Sequence, residues 1–239
     1  TTPPDFETGV MNTLDKANLD PKAIEFFAHG STVIINAITE RKGVKTALIT
    51  TKGFRDVLEI GRGNRPDLFN FNFRKPKPFV ERYLRLELDE RVNYKGEIQR
   101  EVDLSAIPEL LDMLKAEKVE AIAVVFLHGY INPANEILAC NAIKKHWSEV
   151  SVLASHQISR EWREYERTNT TVLSAYVHPV AKRYIESLQN KLKAKGFREK
   201  PYLMQSNTGI SSVDAVMNNP ISMIESGPAS GIFAAAWLG

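Results

Sequence analysis

The sequence predicts an α/β protein with a mainly parallel sheet and helices on its faces. Short β-rich runs alternate along the chain with polar turns and helical patterns, and this order is typical of βαβ units. One run, residues 121–127, is apolar throughout, as expected for a central strand that is covered on both faces. The runs that we predict as strands are residues 23–28, 45–50, 121–127, 150–154 and 201–205.

The helices between these strands have recognisable start signals. Asp103 precedes leucines and isoleucines spaced for one helix face, and Asn132-Pro133 places a capping side chain before a proline at the first helical position. The longest helical pattern covers residues 159–195, where an apolar residue recurs every four positions. Pro179 lies inside this pattern and predicts a kink or a division into two helices.

Residues 62–100 interrupt the alternation, and we interpret them as an insertion or subdomain on the α/β core. The segment begins with proline-rich turns, and leucine then alternates with charged residues over residues 83–91. That alternation predicts a half-exposed strand. A hairpin that pairs Val92 with Ile98 is expected to follow.

Charge and cysteine content exclude several classes of function. The 31 basic and 29 acidic residues give a formal charge of +2, so there is no electrostatic case for a nucleic-acid or membrane partner. Cys140 is the one cysteine, which excludes an intrachain disulfide and a cysteine-rich zinc site. Its apolar neighbours favour a place on a buried helix face.

The ends of the chain indicate a piece of a longer protein. The chain begins on Thr1 in a proline-rich turn and stops at Gly239, directly after an apolar stretch. No apolar run reaches the roughly 18 residues that a bilayer span requires, and the first residues do not resemble a signal peptide. We therefore predict a cytoplasmic fragment.

Two turns in the sequence have the composition of an anion site. His29-Gly30-Ser31-Thr32 lies between a β-rich run and a helical run, so unpaired N–H groups and the positive end of a helix dipole are expected there. The alternative is that Ser31 or Thr32 only caps the helix. The second turn, residues 226–231, has glycines that permit close approach of a ligand, or else of a packed helix.

Two charged segments are further candidates. In the turn from Arg62 to Asp67, the arginines suit recognition of a carboxylate or phosphate, but Arg65 and Asp67 would equally lock the turn. The run 163–167 is interpreted first as a solvated helix face, although the polar residues that follow it weakly favour a working surface. His128, at the end of a predicted strand, is the best placed histidine. No histidine spacing indicates a metal site.

Several of these segments together match one set of motifs. Residues 29–37 with Glu40-Arg41-Lys42-Gly43 are similar to the pattern HGTTxxxNAxxERKG, and residues 226–231 match SGPxxG. Further matching stretches are residues 46–62, 65–68, 74–76, 163–167, 175–179 and 204–207. The joint match extends over residues 1–239, and it resembles the hydantoinase A/5-oxoprolinase family.

The resemblance implies both an architecture and a chemistry. Members include N-methylhydantoinase A, 5-oxoprolinase, caprolactamase and subunits of acetone and acetophenone carboxylases. An actin/hexokinase/Hsp70-like (ribonuclease H-like) fold is implied, with a mostly parallel sheet, flanking helices and two duplicated lobes, of which this chain is an incomplete fragment. Residues 1–198 would form the N-terminal-type domain, and residues 199–239 would begin the second lobe.

The implied chemistry is ATP-driven phosphorylation of an amide or enolate oxygen. ATP and Mg²⁺ are the implied cofactors, and the implied partners are a small amide or ketone substrate, a hydantoinase B-type subunit and further copies in an oligomer. The family's phosphate motifs, DxGGTxTD and a later DxGGTxxD, are absent from this sequence. The phosphate-binding residues are therefore expected outside this chain, and the fragment alone is expected to be inactive.

The resemblance also implies which residues line a substrate or nucleotide cleft, although it identifies no catalytic residue and no metal ligand. Ser31 replaces the commoner threonine but keeps the hydroxyl, and residues 205–209 depart from the usual SNGG by one residue. The implied cleft residues are Gly30, Ser31, Thr32, Asn36 and Asn207. Gly227 and Gly231 would lie on the phosphate side of the cleft, and Arg62 and Arg65 would face a substrate or partner.

Three hypotheses of function follow. The leading one is a fragment of an ATP-dependent hydrolase or carboxylase subunit that activates a cyclic amide or ketone carbonyl. The alternative is a non-catalytic scaffold or regulatory subunit that keeps the ATPase fold. A third is a relative of sugar or acid kinases that shares the fold.

Overall fold

The structure is a computed structural model that describes residues 5–64 and 67–238. It divides into two compact units. Unit 1 comprises Thr1–Gly43 and Val177–Gly239, and unit 2 comprises Val44–Tyr176.

Helices and strands alternate along much of the described chain. The helices are α1 (Phe6–Ala17), α2 (Val33–Thr39), α3 (Val57–Ile60), α4 (Ile107–Ala116), α5 (Ala134–His146), α6 (Ser155–Ile158), α7 (Glu164–Ala194), α8 (Val213–Asn218) and α9 (Ser226–Leu238). The strands are β1 (Ala28–His29), β2 (Thr46–Thr51), β3 (Arg85–Leu88), β4 (Arg91–Val92), β5 (Ile98–Arg100), β6 (Ala121–Val125), β7 (Ser151–Ala154), β8 (Tyr202–Met204) and β9 (Ile210–Ser211).

Unit 2 is built on a four-stranded sheet in the order β3-β2-β6-β7, in which every neighbouring pair is parallel. Every residue of β2 and β6 is buried, which explains why both segments are almost free of charged residues. The predicted parallel sheet and its central strand are thereby confirmed. Because all four strands run the same way, their carboxyl ends meet at one edge, where open α/β sheets bind ligands.

The segment that interrupts the sequence pattern contributes both to this sheet and to a hairpin. Of the alternating stretch 83–91, only Arg85–Leu88 form this edge strand, β3, and Arg85 is buried together with Leu88 rather than exposed. Strands β4 and β5 pair antiparallel, with Val92 opposite Ile98, so the predicted hairpin is confirmed.

Two helices of unit 2 begin as the sequence predicts. The Asp103 carboxylate accepts a hydrogen bond from the Ser105 backbone N–H at 2.9 Å, and the resulting 3-10 turn leads into α4. The Asn132 side chain accepts one from the Ala134 N–H at 3.1 Å at the start of α5. Cys140 on α5 is half-buried rather than fully buried, and burial raises the pKa of its thiol to about 12.

Unit 1 contains a smaller sheet in the order β1-β8-β9, with β1 parallel to β8 and β8 antiparallel to β9. The predicted strand at residues 23–28 is wrong except at its last residue. Asp20 accepts a hydrogen bond from the Lys22 N–H and caps a 3-10 turn over Pro21–Ala23, because the proline at the first position favours a turn. An apolar cluster of Met11, Leu188, Leu192 and Phe197 packs α1 against α7.

Helix α7 continues through Pro179 as one element of 31 residues, so the predicted division into two helices is wrong. The apolar stripe along it is buried before and after the proline, and this packing outweighs the one hydrogen bond that proline removes. Charged residues occur along the whole of α7. Within residues 5–64 and 67–238, no helix is both long enough and apolar enough to cross a membrane.

Candidate functional site

The two candidate anion turns are brought together in unit 1. The Ser31 backbone N–H donates to the Ser226 Oγ at 3.1 Å, and the Ser226 hydroxyl donates to the Ser31 carbonyl at 3.0 Å. Both serines are buried. Residues 30–32 and 226–231, far apart in the sequence, therefore form one contact, which we call the turn pair.

Glycine makes the close approach within the turn pair possible. A Cβ on Gly30 would lie 2.7 Å from the Ser226 carbonyl oxygen, and one on Gly227 would lie 2.7 Å from the Thr32 Cγ2. The side-chain faces of these two glycines are thus occupied by protein atoms. A Cβ on Gly231 would meet no atom within 4 Å, so this glycine has an open face.

The polar residues of the turn pair divide into capping groups and exposed groups. The Ser31 hydroxyl accepts a hydrogen bond from the Val33 N–H at 3.2 Å, which is the capping alternative. The Thr32 and Asn36 side chains are exposed and 3.5 Å apart. The Asn207 side chain accepts from the Gly209 N–H at 2.9 Å in an exposed turn of its own. The groups available to a ligand are therefore those of Thr32 and Asn36.

A half-buried histidine, His29, lies directly before the turn pair. The His29 Nε2 and the Tyr184 hydroxyl are 2.6 Å apart, and burial lowers the pKa of His29 to about 4. Burial also raises the pKa of Tyr184. Both groups are consequently neutral at pH 7, and they join β1 to α7 without adding charge.

In unit 2, Arg62 lines a cavity of about 370 Å³. Its Nε donates to the Glu166 carboxylate at 2.5 Å, and this hydrogen bond lowers the pKa of Glu166. Arg65, which the sequence places with Arg62, lies outside the described residues, as does Pro66.

The carboxyl edge of the unit 2 sheet carries a buried polar network that the sequence did not predict. The Glu136 carboxylate is 1% exposed and accepts hydrogen bonds from the backbone N–H of Phe126 and from the Ser155 hydroxyl. The His156 Nδ1 lies 2.7 Å from the same carboxylate. One buried carboxylate therefore joins the ends of β6 and β7 to α5.

Arg167 completes this network from the first turn of α7. Its guanidinium is fully buried and donates to the Phe126 carbonyl at 3.0 and 3.2 Å, to the Ser155 hydroxyl and to the Glu164 carboxylate. The interpretation of residues 163–167 as a solvated face is thus wrong for Arg167, although Arg163 is exposed. The start of α7 is fixed to the end of β6 by these bonds.

A second buried carboxylate lies on the other side of β6. The Glu90 carboxylate accepts hydrogen bonds from the Thr51 hydroxyl and from the Asn135 amide, and burial raises its pKa. The Thr51 Oγ1 in turn accepts from the Leu127 N–H at 2.8 Å. Glu90, Thr51 and Leu127 lie at or just after the ends of strands, whereas Asn135 lies in the first turn of α5, so no single sequence pattern joins these partners.

His128 follows β6 at the same edge with a strained backbone. Its φ of +58° is unfavourable for a residue with a Cβ, and such strain concentrates at functional sites. Burial lowers its pKa, and its buried Nδ1 has no hydrogen-bond partner among the described residues. Glu164 Oε1 and Arg167 Nε are likewise buried without a hydrogen-bond partner among the described residues. The structure thus places His128 at the carboxyl edge of the sheet, as its sequence position suggested.

No group of three histidine, cysteine, aspartate or glutamate side chains in the described part of the chain is arranged to hold a metal ion. Buried carboxylates here are satisfied by hydroxyl, amide and backbone donors.

The parallel sheet with flanking helices is an α/β architecture, and comparison with solved structures confirms the predicted actin/hexokinase-like ATPase fold. A nucleotide-free acetone carboxylase, 24% identical in sequence, matches all of this chain with 36% of its own length and a TM-score of 0.87. The ATP-dependent caprolactamase from Pseudomonas jessenii matches all of this chain with 36% of its own length, at 30% identity and a TM-score of 0.84.

The chain belongs to the hydantoinase/oxoprolinase family. The model of the hydantoinase/oxoprolinase N-terminal region matches residues 1–147, and the hydantoinase/oxoprolinase model matches residues 167–239. An uncharacterised protein of Methanocaldococcus jannaschii is 39% identical over the whole chain, which covers 35% of that protein. The alpha subunit of the Pseudomonas jessenii caprolactamase is 33% identical over 84% of the chain, which covers 29% of that subunit. The chain thus spans about a third of the length of these relatives.

Proposed function

We propose that this chain is part of an ATP-dependent enzyme subunit that activates a cyclic amide or ketone carbonyl for hydrolysis or carboxylation. The observation that carries the proposal is the family match along the chain, together with the ATP dependence in the names of both structural neighbours. Because the chain spans about a third of its relatives, the activity belongs to the longer protein.

ATP, when bound, would supply a phosphoryl group to an amide or enolate oxygen and so activate the carbonyl compound for hydrolysis or carboxylation. In this chain, the exposed Thr32 hydroxyl, the Asn36 amide and the open face of Gly231 are the groups available at the rim of the turn pair. This rim would be supported by Gly30, Ser31 and Gly227, because each of them packs or hydrogen-bonds against the opposite turn. Mg²⁺ would be held with ATP by residues outside this chain, where the family's phosphate motifs are expected.

The assembly is proposed to include a hydantoinase B-type subunit. The caprolactamase relative is an alpha subunit, so that protein is one component of a larger enzyme. Asn207, which lies in an exposed turn of unit 1, and Arg65 remain proposed members of the cleft.

The test is ADP release by the whole protein that contains this chain, with its partner subunit, in the presence of four compounds. These are a hydantoin, 5-oxoproline, caprolactam and acetone with bicarbonate. ADP release that depends on one of them, with a ring-opened or carboxylated product, is the expected result. No ATP turnover with any carbonyl compound favours the scaffold alternative, and release of a stable phosphorylated product favours the kinase alternative.

A further inference from the structure

The cavity beside Arg62 is formed by two segments that are distant in the sequence. One is the loop after α3, and the other is the first turn of α7. The cavity has a volume of about 370 Å³, enough for a ring of five or six atoms with one substituent. Its lining residues are Leu58, Gly61, Arg62, Asn64, Phe73, Lys75, Pro76 and Tyr165.

Positive charge lines this cavity. Arg62 has one carboxylate partner, Glu166, which is bound through Nε, so its two terminal nitrogens have no partner among the described residues. Lys75 donates to the carbonyls of Glu59 and Ile60 at the end of α3, and these partners do not neutralise its charge. One carboxylate thus faces two cations, and an anion is the ligand that this balance favours.

Aromatic rings and a polar amide complete the lining. Phe73 and Tyr165 are half-buried at the cavity, and Tyr165 is in van der Waals distance of a Cβ position on Gly61. Asn64 adds an amide that can donate or accept. Flat apolar walls beside paired cations match a planar ring that carries an acidic group.

The first turn of α7 gives this cavity a rigid wall. Arg167 fixes that turn to the Phe126 carbonyl at the end of β6, and Glu166 one residue before it holds Arg62. Because these bonds to Arg167 are buried, the first turn of α7, which carries Tyr165, is positioned before any ligand arrives. Such preorganisation lowers the entropy that binding costs.

We propose that this cavity binds the carboxylate of a small planar molecule, with Arg62 and Lys75 as the cationic partners and Phe73 and Tyr165 against the ring. Arg62 is the specificity-determining residue. The inference deepens the proposed function, because within that function the cavity would select substrates that bear a carboxylate.

The test is isothermal titration of the whole protein, without ATP, with benzoate and with benzamide, which share a shape and differ in charge. Benzoate should bind at least about tenfold more tightly than benzamide, because hydrogen bonds to charged groups are the stronger ones. Its affinity should fall as NaCl is raised, since the cations are partly exposed. Equal binding of the two compounds would overturn the proposal.

Variants locate the binding at Arg62. Arg62→Gln should weaken benzoate binding about tenfold and leave benzamide unchanged. Arg82→Gln is the matched control, because Arg82 also has one carboxylate partner, Asp56, and its side chain is 58% exposed against 61% for Arg62. Equal loss in the two variants would assign the effect to general charge and contradict the proposal.

A variant whose expected effect on benzoate affinity is not a loss distinguishes a change in ligand binding from structural damage. Glu166→Gln removes the one negative charge on Arg62, so benzoate should bind as tightly as before or up to about fivefold more tightly. Weaker binding in Glu166→Gln would contradict the proposal. Since binding is measured without ATP, it is independent of turnover. If benzoate binds but the whole protein shows no ATP turnover, the proposed function is contradicted and this inference stands. If ATP turnover occurs but a carboxylate is not preferred, this inference is contradicted and the proposed function stands.

Discussion

The turn pair of unit 1 and the Arg62 cavity of unit 2 have the same local ingredients and different outcomes. Each has glycine beside a helix terminus, with hydroxyl, amide or cationic side chains nearby. In the turn pair, the faces of Gly30 and Gly227 are filled by protein atoms, whereas Gly61 has only the Tyr165 ring near it and leaves a cavity. A glycine turn next to a helix is therefore not evidence of a ligand site until the segment packed against it is known.

The largest expected effect concerns the buried network that supports the cavity wall. Arg167→Ala leaves the Phe126 carbonyl and the Glu164 carboxylate without their partner, and we expect the free energy of unfolding to fall by about 3 to 5 kcal/mol. Denaturant unfolding of the whole protein measures this. Arg163→Ala, four residues earlier and exposed, is the control and should change stability by less than about 0.5 kcal/mol. A small loss in both variants would mean that the network is dispensable.

The second effect is an acid sensitivity in unit 1. Burial lowers the pKa of His29 to about 4 from its ordinary 6.5, so the unfolded chain takes up a proton at a higher pH than the folded chain does. The stabilisation is complete above pH 6.5 and is lost between pH 6.5 and 4, by about 3 kcal/mol. Unfolding free energies measured between pH 7.5 and 4.5 should show a shallower decline in His29→Gln. The exposed His146→Gln is the control, and identical curves for all three proteins would refute the assignment.

A pair of glycine variants in one helix sharpens the contrast between packed and open faces. Gly227→Ala places a Cβ 2.7 Å from the Thr32 Cγ2 and should destabilise by about 1 to 3 kcal/mol. Gly231→Ala places one in open space and should stabilise α9 by about 0.5 to 1 kcal/mol. Thermal unfolding distinguishes the two signs. Shifts of the same sign would show that the turn pair is looser than its contacts indicate.

The smallest expected stability changes separate capping from ligand contact in the turn pair. Ser31→Ala removes the cap on α2 and should cost about 1 kcal/mol. Thr32→Ala removes an exposed hydroxyl, so stability should change by less than about 0.5 kcal/mol while ATP-dependent turnover falls about tenfold. Turnover at the wild-type level in Thr32→Ala would remove Thr32 from the proposed cleft.

The sequence predicted the elements of the fold better than the contacts at their ends. A continuous apolar run predicted β6, and a run of apolar residues and threonine without charge predicted β2, since strands buried on both faces exclude charged side chains. Pro21 begins a 3-10 turn that ends at Ala23, and residues 24–27 of the predicted first strand have no regular secondary structure. The packing around Pro179 was not visible from local pattern either, because it depends on residues distant in the chain.

The candidate site was predicted only in part, because its contacts also join residues that are distant in the chain. The turns at Ser31 and Ser226 were identified from local composition, but their mutual hydrogen bonds join residues 195 positions apart. Arg167 was assigned to a solvated face because its i, i+3 pairing with Glu164 is equally typical of an exposed helix. Only the parallel order of the strands brings Phe126 and Ser155 to it.

The central claim is that this chain helps an ATP-dependent enzyme to select a carbonyl compound that bears a carboxylate. One measurement tests this claim most directly. ADP release by the whole protein with its partner subunit is compared for 5-oxoproline and for 2-pyrrolidinone, which share a lactam ring and differ by the carboxylate. The account predicts a kcat/KM at least about tenfold higher for 5-oxoproline, and loss of that preference in Arg62→Gln through KM. Equal kcat/KM for the two lactams, or a preference that survives in Arg62→Gln, would contradict it.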